Sequence, residues 1–148
     1  MIRVRRILHP TDFSKASGPA FATALALAKQ NRAELLLVHV LPPQTPLIGE
    51  TYVSPKIYEQ LVVEARRGAQ RHLSPLLVKA KKAKVRVKTL LLDGAAYDQI
   101  ARVARSKRAN LVVMGTHGRT GLSKFFMGSV AARVIPLAPC PVLTVRGK

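Results

Sequence analysis

The chain has 148 residues and a mass of 16.1 kDa, a size that one core accommodates, so we expect a single domain over residues 1–148. Hydrophobic residues make up 48% of it, which is enough to bury a core and argues against a disordered basic tail. Lys and Arg number 25 against 7 Asp and Glu, and the resulting net charge of +18 favours polyanionic partners whatever the fold.

Membrane, disulfide and metal chemistry are not expected from this sequence. No apolar run is long enough to cross a bilayer, and the N-terminal region lacks a signal-peptide core, so we expect a cytoplasmic protein without a membrane partner. The single cysteine, Cys140, excludes an internal disulfide and any zinc site that needs several thiolates. The four histidines lie far apart in sequence, so no metal ligands are expected among them.

The apolar pattern alternates between strands and helices. In chain order it predicts a strand over 4–9, a helix over 16–30 capped by Ser14 or Ser17, a strand over 35–41, a helix from 57 into the eighties with a break or kink at Pro75, a strand over 85–92, a helix over 97–107, a strand over 111–114, a helix over 130–137 and a strand over 142–145. Residues 42–56, with four prolines, form the long loop.

Five strands alternating with four helices predict an α/β fold, an open parallel five-stranded sheet with helices on both faces. The strand over 35–41 is continuously apolar except for His39, which is typical of a strand covered on both sides. In such sheets ligands bind at the carboxyl ends of the strands where the winding direction reverses. If the strand order is 3-2-1-4-5, the reversal falls between the first and fourth strands, and the loops over 10–14 and 115–121 are then the candidate ligand loops.

The segment over 115–129 is the richest in chemistry. Gly115, Gly118 and Gly128 let backbone N–H groups approach a phosphate, and Ser129 adds a hydroxyl where the next helix begins. A helix N-terminus attracts anions, and Arg119 supplies a full positive charge nearby. The spacing fits neither the dinucleotide nor the P-loop motif. On spacing alone, a phosphate cradle and a flexible glycine turn are equally compatible with this segment.

The pattern Gly115-x2-Gly118-x9-Gly128-Ser129 resembles the nucleotide-binding signature of the universal stress protein family, in its ATP-binding branch. Residues 7–14, 37–40 and 139–145 resemble that family's first, second and closing strands, so the similarity spans nearly the whole chain. The resemblance implies the adenine nucleotide alpha hydrolase-like sheet in the order 3-2-1-4-5. It also implies homodimers paired through the C-terminal strand. The charge of +18 is not explained by it.

Carried over residue by residue, the resemblance implies a nucleotide site with three parts. It places Pro10, Thr11 and Asp12 at the adenosine end, the Val40 backbone at the adenine edge, Met114 and Gly115 beneath the ribose and phosphates, and Gly118, Arg119, Gly128, Ser129 and Val130 around the phosphate chain. Asp12 has a second interpretation as an Asx turn at a helix start. His117 fits a loop histidine better than a catalytic base, and Cys140 fits a buried small side chain.

The function favoured by these residues is a stress-response protein that binds ATP or AMP and acts as a nucleotide-dependent switch on a protein partner that the sequence does not identify. The ligand loops contain one carboxylate, Asp12, so no catalytic or metal residue is assigned, and the protein is at most a slow ATPase, with a divalent cation such as Mg²⁺ accompanying the nucleotide. The alternative is a nucleic-acid-binding protein. Ten basic residues lie over 56–88, opposed by Glu59 and Glu64, and this stretch is either a solvated helix face or a polyanion site.

Overall fold

A computed structural model describes residues 3–43, 53–117 and 127–147. In chain order its elements are β1 (Arg6–Pro10), a 3-10 turn (Lys15–Ser17), α1 (Gly18–Asn31), β2 (Glu34–Leu41), α2 (Pro55–Lys82), β3 (Val87–Asp93), α3 (Ala96–Ser106), β4 (Leu111–Gly115), α4 (Ser129–Leu137) and β5 (Val142–Val145). The four strand pairs among these residues are all parallel, and the sheet order is β3-β2-β1-β4-β5. The predicted fold class and strand order are therefore confirmed.

The sheet is buried on both faces, as the continuous apolar runs predict. Ile7, Leu35 and Leu37 pack with α1 and α2 on one face, whereas Leu8 and Leu36 pack with α3 and α4 on the other. The helix α1 approaches the sheet through small buried side chains, because Ala20, Ala24 and Ala28 are completely buried. Two apolar layers therefore fix the sheet, and with it the positions of the strand ends.

The structure differs from the predicted boundaries in a few places. β1 begins at Arg6 rather than at residue 4 and includes Pro10, whose missing N–H faces the side on which β1 and β4 no longer pair. Ser14, not Ser17, provides the side-chain cap, since its Oγ accepts from the Ser17 N–H at the 3-10 turn. Pro75 lies inside α2, which continues through it without a break.

The basic stretch over 56–88 is not one helix. α2 ends at Lys82, a turn follows, and β3 starts at Val87, so Lys84 and Arg86 lie in the turn and Lys88 lies in a strand. The physical reason is a left-handed residue, Lys84, with φ of 59°, which ends the helix because it cannot continue a right-handed one.

Three helices end in the same way. Arg32 after α1, Lys84 after α2 and Arg108 after α3 all have positive φ, between 52° and 59°. In each turn the next residue is buried, and its N–H donates to the carbonyl five residues back: Ala33 to Ala28, Val85 to Ala80, and Ala109 to Ala104, at 2.9–3.0 Å. This is the Schellman turn, in which glycine is usual and another residue costs about 1 kcal/mol of conformational energy.

Candidate functional site

The sheet divides where the winding direction reverses. β1 pairs with β4 at Ile7–Leu111 and Leu8–Val112, and beyond that register the two strands separate. His9 bridges the division from β1, because its Nδ1 donates to the Val113 carbonyl of β4 at 2.8 Å. Burial lowers the pKa of His9 to about 4, against the smaller opposing effects of that hydrogen bond and of Asp12, so the imidazole is neutral. An uncharged imidazole therefore links β1 to β4 where their pairing ends.

A cavity of about 280 Å³ lies at the carboxyl ends of the strands around this division. Nine of the eleven residues expected at the nucleotide site line it: Pro10, Thr11, Asp12, Val40, Met114, Gly115, Gly128, Ser129 and Val130. The other two, Gly118 and Arg119, lie outside the described residues. Residues that are up to about 120 positions apart in sequence thus share one concave surface.

One wall of the cavity is apolar, and backbone groups of β2 point into the cavity at its edge. Val38, Val40 and Ile100 contribute to this wall. The Val38 carbonyl accepts from the Thr11 N–H at 2.8 Å, so the backbone N–H and C=O of Val38 point towards β1. Because strand residues alternate in direction, the N–H and C=O of Val40 point to the same side, where β1 has already ended at Pro10. Val40 therefore presents a donor and an acceptor to the cavity without disturbing the sheet.

The opposite wall is the N-terminus of α4. Its N-cap residue, Gly128, has no side chain to cap the helix, and the first turn contains no acidic residue. The first three helical N–H groups, those of Ser129, Val130 and Ala131, therefore have no intrahelical acceptor, and all three residues line the cavity. The Gly128 N–H donates to the Thr116 carbonyl at 2.6 Å, which fixes the helix start beside the end of β4. This wall offers backbone donors and the positive end of a helix dipole to an anion.

The structure is compatible with both interpretations of Asp12 that the sequence leaves open, an Asx turn and a residue of the ligand site. Its Oδ1 accepts from the Ser14 N–H at 2.9 Å, which is the expected Asx turn, and the residue also lines the cavity. The preceding Thr11 is fixed as well, since its Oγ1 accepts from the Phe13 N–H at 3.1 Å. Both polar residues after β1 are thus held in place by local hydrogen bonds.

Several lining residues are not predicted by the sequence analysis. His39 Nδ1 donates to the Thr11 carbonyl at 2.7 Å, and its ring lies 4.3 Å from that of Phe13. His117, expected as a loop histidine, lines the cavity, and its Nδ1 lies 2.9 Å from the Thr116 hydroxyl. The one sequence signal that could identify His39 is that it interrupts the apolar run over 35–41. Ala96 and Ile100, which line the cavity from α3, carry no distinguishing signal in sequence.

Other chemistry is sparse in the described part of the chain. Residues 3–43, 53–117 and 127–147 contain no group of three or more His, Cys, Asp or Glu side chains arranged to hold a metal ion. Among the same residues, no helix combines the length and apolar character needed to span a bilayer. Cys140 is half-buried, and that burial raises the pKa of its thiol.

Comparison with known proteins gives the same architecture. A model described as the universal stress protein family matches residues 3–146. Universal stress protein MJ0531 of Methanocaldococcus jannaschii is 35% identical over 143 residues, which cover 96% of this chain and 82% of that protein. Among solved structures, protein MJ0577 of the same organism is similar with a TM-score of 0.87 at 25% identity, covering 99% of both chains.

Two further solved structures share the fold with a nucleotide present. A universal stress protein from Archaeoglobus fulgidus in complex with dAMP has a TM-score of 0.66 at 22% identity, covering 99% of this chain and all of that one. A universal stress protein family member from Arabidopsis thaliana with AMP bound has a TM-score of 0.69 at 20% identity, covering 97% and 92%. Given the family match over nearly its whole length and the identity to MJ0531, this chain belongs to the universal stress protein family.

Proposed function

We propose that this chain binds an adenine nucleotide, ATP or AMP, in the cavity at the division between β1 and β4. The observation that carries the proposal is the pairing of two unlike walls. An apolar wall with backbone groups at its edge suits a planar base, and a helix N-terminus with three N–H groups that lack an intrahelical acceptor suits phosphate. A nucleotide carries a planar base at one end and phosphate at the other, so it could contact both walls at once.

The proposed contacts follow the walls. Pro10, Thr11 and Asp12 take the adenosine end, Val40 meets the adenine edge with its N–H and C=O, Met114 and Gly115 lie beneath the ribose, and Gly128, Ser129 and Val130 surround the phosphates. Gly118 and Arg119, outside the described residues, are proposed for the phosphate chain as well. The dAMP and AMP held by the solved relatives support adenine as the base.

A binding role fits these residues better than rapid catalysis. Among the described lining residues Asp12 is the single carboxylate, and one of its oxygens accepts from the Ser14 N–H. Hydrolysis of a phosphoanhydride needs a positioned water and usually a base. Mg²⁺ at nucleotides is held mainly by phosphate oxygens with one or two carboxylates, and because Asp12 is assigned to the adenosine end, a divalent cation would be held here through the phosphates. We therefore propose a cytoplasmic stress regulator that changes its affinity for a protein partner with nucleotide state, with slow hydrolysis at most.

The dimer belongs to this proposal. β5 pairs with β4 on one side, and the Pro141 and Val145 carbonyls face β4. By alternation the N–H groups of Val142 and Thr144 point away from β4, towards the open edge. Thr144→Pro removes one of these outward N–H groups and leaves the hydrogen bonds between β5 and β4 in place. Light scattering should therefore show a dimer for the wild type and a monomer for this variant. A wild-type monomer at micromolar concentrations would contradict pairing through β5.

Isothermal titration with ATP and with AMP tests the nucleotide site. Ala96 lines the cavity, whereas its neighbour Ala95 is exposed and does not, so Ala96→Phe and Ala95→Phe form a matched pair. Ala96→Phe should occupy cavity volume and lower the affinity at least about tenfold, equivalent to about 1.4 kcal/mol. Ala95→Phe should leave the affinity unchanged. No heat of binding to the wild type, or equal losses in the two variants, would contradict the proposal.

A further inference from the structure

The charge of the chain is concentrated at the edge of the sheet opposite the cavity. Helices run antiparallel to the strands they connect, so helix ends and strand starts meet at the amino edge. We define the amino-edge surface as residues 3–6, 29–34, 79–88 and 105–110. It holds fourteen of the 25 basic residues, all exposed: Arg3, Arg5, Arg6, Lys29, Arg32, Lys79, Lys81, Lys82, Lys84, Arg86, Lys88, Arg105, Lys107 and Arg108. Its one acidic residue is Glu34.

Hydrogen bonds and ion pairs bring these four segments side by side. The Leu35 N–H donates to the Arg86 carbonyl and the Glu34 N–H to the Arg5 carbonyl, each at 2.8 Å. Arg6 reaches the other way, with Nη1 donating to the Lys107 carbonyl at 2.8 Å. The single carboxylate, Glu34, is largely buried between Arg6 and Lys88, at 3.2 and 3.4 Å. The segments therefore form one continuous basic surface from β3 to β4.

The left-handed residues show that charge is kept where the backbone disfavours it. Arg32, Lys84 and Arg108 occupy the position of a Schellman turn that glycine or asparagine fits without strain. All three turns instead carry an exposed cation there. Strain held at equivalent positions in three separate turns indicates a use for the side chains.

Stabilisation of the helix ends accounts for only part of the pattern. Cations in the last turn of a helix interact favourably with its dipole, which suits Lys29, Lys82 and Arg105. Arg3 and Arg5 precede β1 and end no helix. A left-handed glycine would cap the same helices, with Lys or Arg retained in the final turn. The excess charge therefore needs another explanation.

We propose that the amino-edge surface binds the phosphate backbone of double-stranded DNA without sequence preference. The starts of the four strands from β3 to β4 span about 14 Å, over which a duplex carries about eight phosphate charges. The defined segments contain no aromatic residue on which unpaired bases would stack, and this favours a duplex over a single strand. They also lack an exposed large apolar side chain that would insert into a membrane.

Residues 55–71 of α2 provide the contrasting surface. Glu59 and Glu64 lie among its basic residues, and Arg71 pairs with Glu64 at 3.0 Å. Arg66 pairs with Asp93 at 2.7 Å. The basic helix face considered from sequence is therefore partly neutralised, and the proposed contact surface is the amino edge.

Two triple variants of the full chain, each losing three positive charges, test the proposal. In the turn variant, Arg32→Gly, Lys84→Gly and Arg108→Gly remove charge while relieving the left-handed backbone. In the helix variant, Lys56→Gln, Arg67→Gln and Arg71→Gln remove charge from residues 55–71 of α2. Binding of a fluorescent DNA duplex of two helical turns is measured by anisotropy at several salt concentrations around 0.15 M. Melting temperature and ATP titration are measured on the same samples.

We expect wild-type binding at about 0.15 M salt with a dissociation constant of about 1 μM or tighter. The turn variant should lose at least about tenfold in affinity, and its salt slope should flatten by two to three units, about one per lost contact. Its melting temperature should equal or exceed that of the wild type, so the loss is not unfolding. The helix variant should lose less than about threefold. Unchanged ATP affinity in the turn variant keeps this test separate from the nucleotide site.

Three results would overturn the proposal. Equal losses in the two variants would mean that binding follows net charge alone. A wild-type dissociation constant for the duplex above about 10⁻⁴ M would mean that the amino-edge surface is not a DNA-binding site. Binding to vesicles of phosphatidylcholine and phosphatidylserine at the same salt, without binding to the duplex, would make an anionic membrane the partner.

Discussion

The two edges of this sheet offer positive potential to anions in opposite ways. At the carboxyl edge, the described cavity side chains are mostly neutral, and backbone N–H groups that face the cavity at Val40 and at the start of α4 provide the donors. At the amino edge, the turn N–H groups are paired in three Schellman turns, and exposed side chains carry the charge. Backbone donors at fixed positions select a small ligand by shape, whereas mobile cations attract an extended polyanion with little selectivity.

The largest expected effect concerns His9, beneath the carboxyl edge. Its folded-state pKa of about 4 lies below the unfolded value of 6.5, so the unfolded chain takes up the proton first as the pH falls. The stabilisation is therefore fully present above pH 6.5 and is lost progressively as the pH falls to about 4, by about 3 kcal/mol in total. Asp12, the charged group that acts on His9, moderates this loss.

Urea unfolding of the wild type and His9→Phe between pH 7.5 and about 4 measures this dependence. His9→Phe should be less stable near neutral pH, because the Val113 carbonyl loses its donor, but its stability should depend less steeply on pH. His72→Gln, a histidine substitution at an exposed position, is the control with which the slope of His9→Phe is compared. An unchanged slope in His9→Phe would contradict a neutral buried ring.

A smaller effect is expected at the amino edge, where backbone pairing depends on one side chain. Asn110 Oδ1 accepts from the Arg5 and Arg6 N–H groups at 2.8 and 2.9 Å. Asn110→Ala should lower the free energy of unfolding by about 2 kcal/mol, since two N–H groups lose their acceptor. Asn110→Asp keeps an acceptor and should lose clearly less. Equal losses by urea unfolding would show that these hydrogen bonds do not maintain the edge.

At the carboxyl edge, Ser129→Ala should weaken ATP binding by about 1.5 kcal/mol, the scale of one hydroxyl hydrogen bond to a charged group. Calorimetric titration measures the change, and Ser106→Ala, at a serine that does not line the cavity, is the control. Wild-type affinity in Ser129→Ala would remove this hydroxyl from the phosphate site.

The smallest expected effect tests the backbone alone. Val40→Pro removes an N–H that faces the cavity, and ATP affinity should fall about fivefold, or about 1 kcal/mol, relative to Val40→Ala. Leu41→Pro is the structural contrast, because Leu41 faces β3, where its carbonyl accepts from Gly94, and it should destabilise the sheet instead. Equal ATP affinity in the two Val40 variants would exclude the Val40 donor from the site.

The sequence predicts those parts of the structure that depend on local pattern. Continuous apolar runs identified the two-sided sheet, and the glycine spacing with the family resemblance placed nine residues that share the cavity. The Schellman turns were not predicted, because Arg32, Lys84 and Arg108 occupy positions where glycine is the usual signal. The sequence does not identify His39 as a cavity residue, because its position depends on contacts between elements rather than on periodicity. His117 lies in a predicted ligand loop, but nothing in the pattern distinguishes it as a lining residue.

Two-dimensional NMR of this 16.1 kDa chain tests most directly whether ATP and DNA bind at opposite edges of the sheet. The amide resonances are measured during separate titrations with ATP and with a DNA duplex. ATP should shift the amides of Val40, Thr116 and Ser129 in a saturable manner and leave those of Arg32, Lys84 and Arg108 in place. The duplex should shift the second set and not the first. ATP shifts confined to the amino edge, or none at all, would contradict the nucleotide site at the division between β1 and β4.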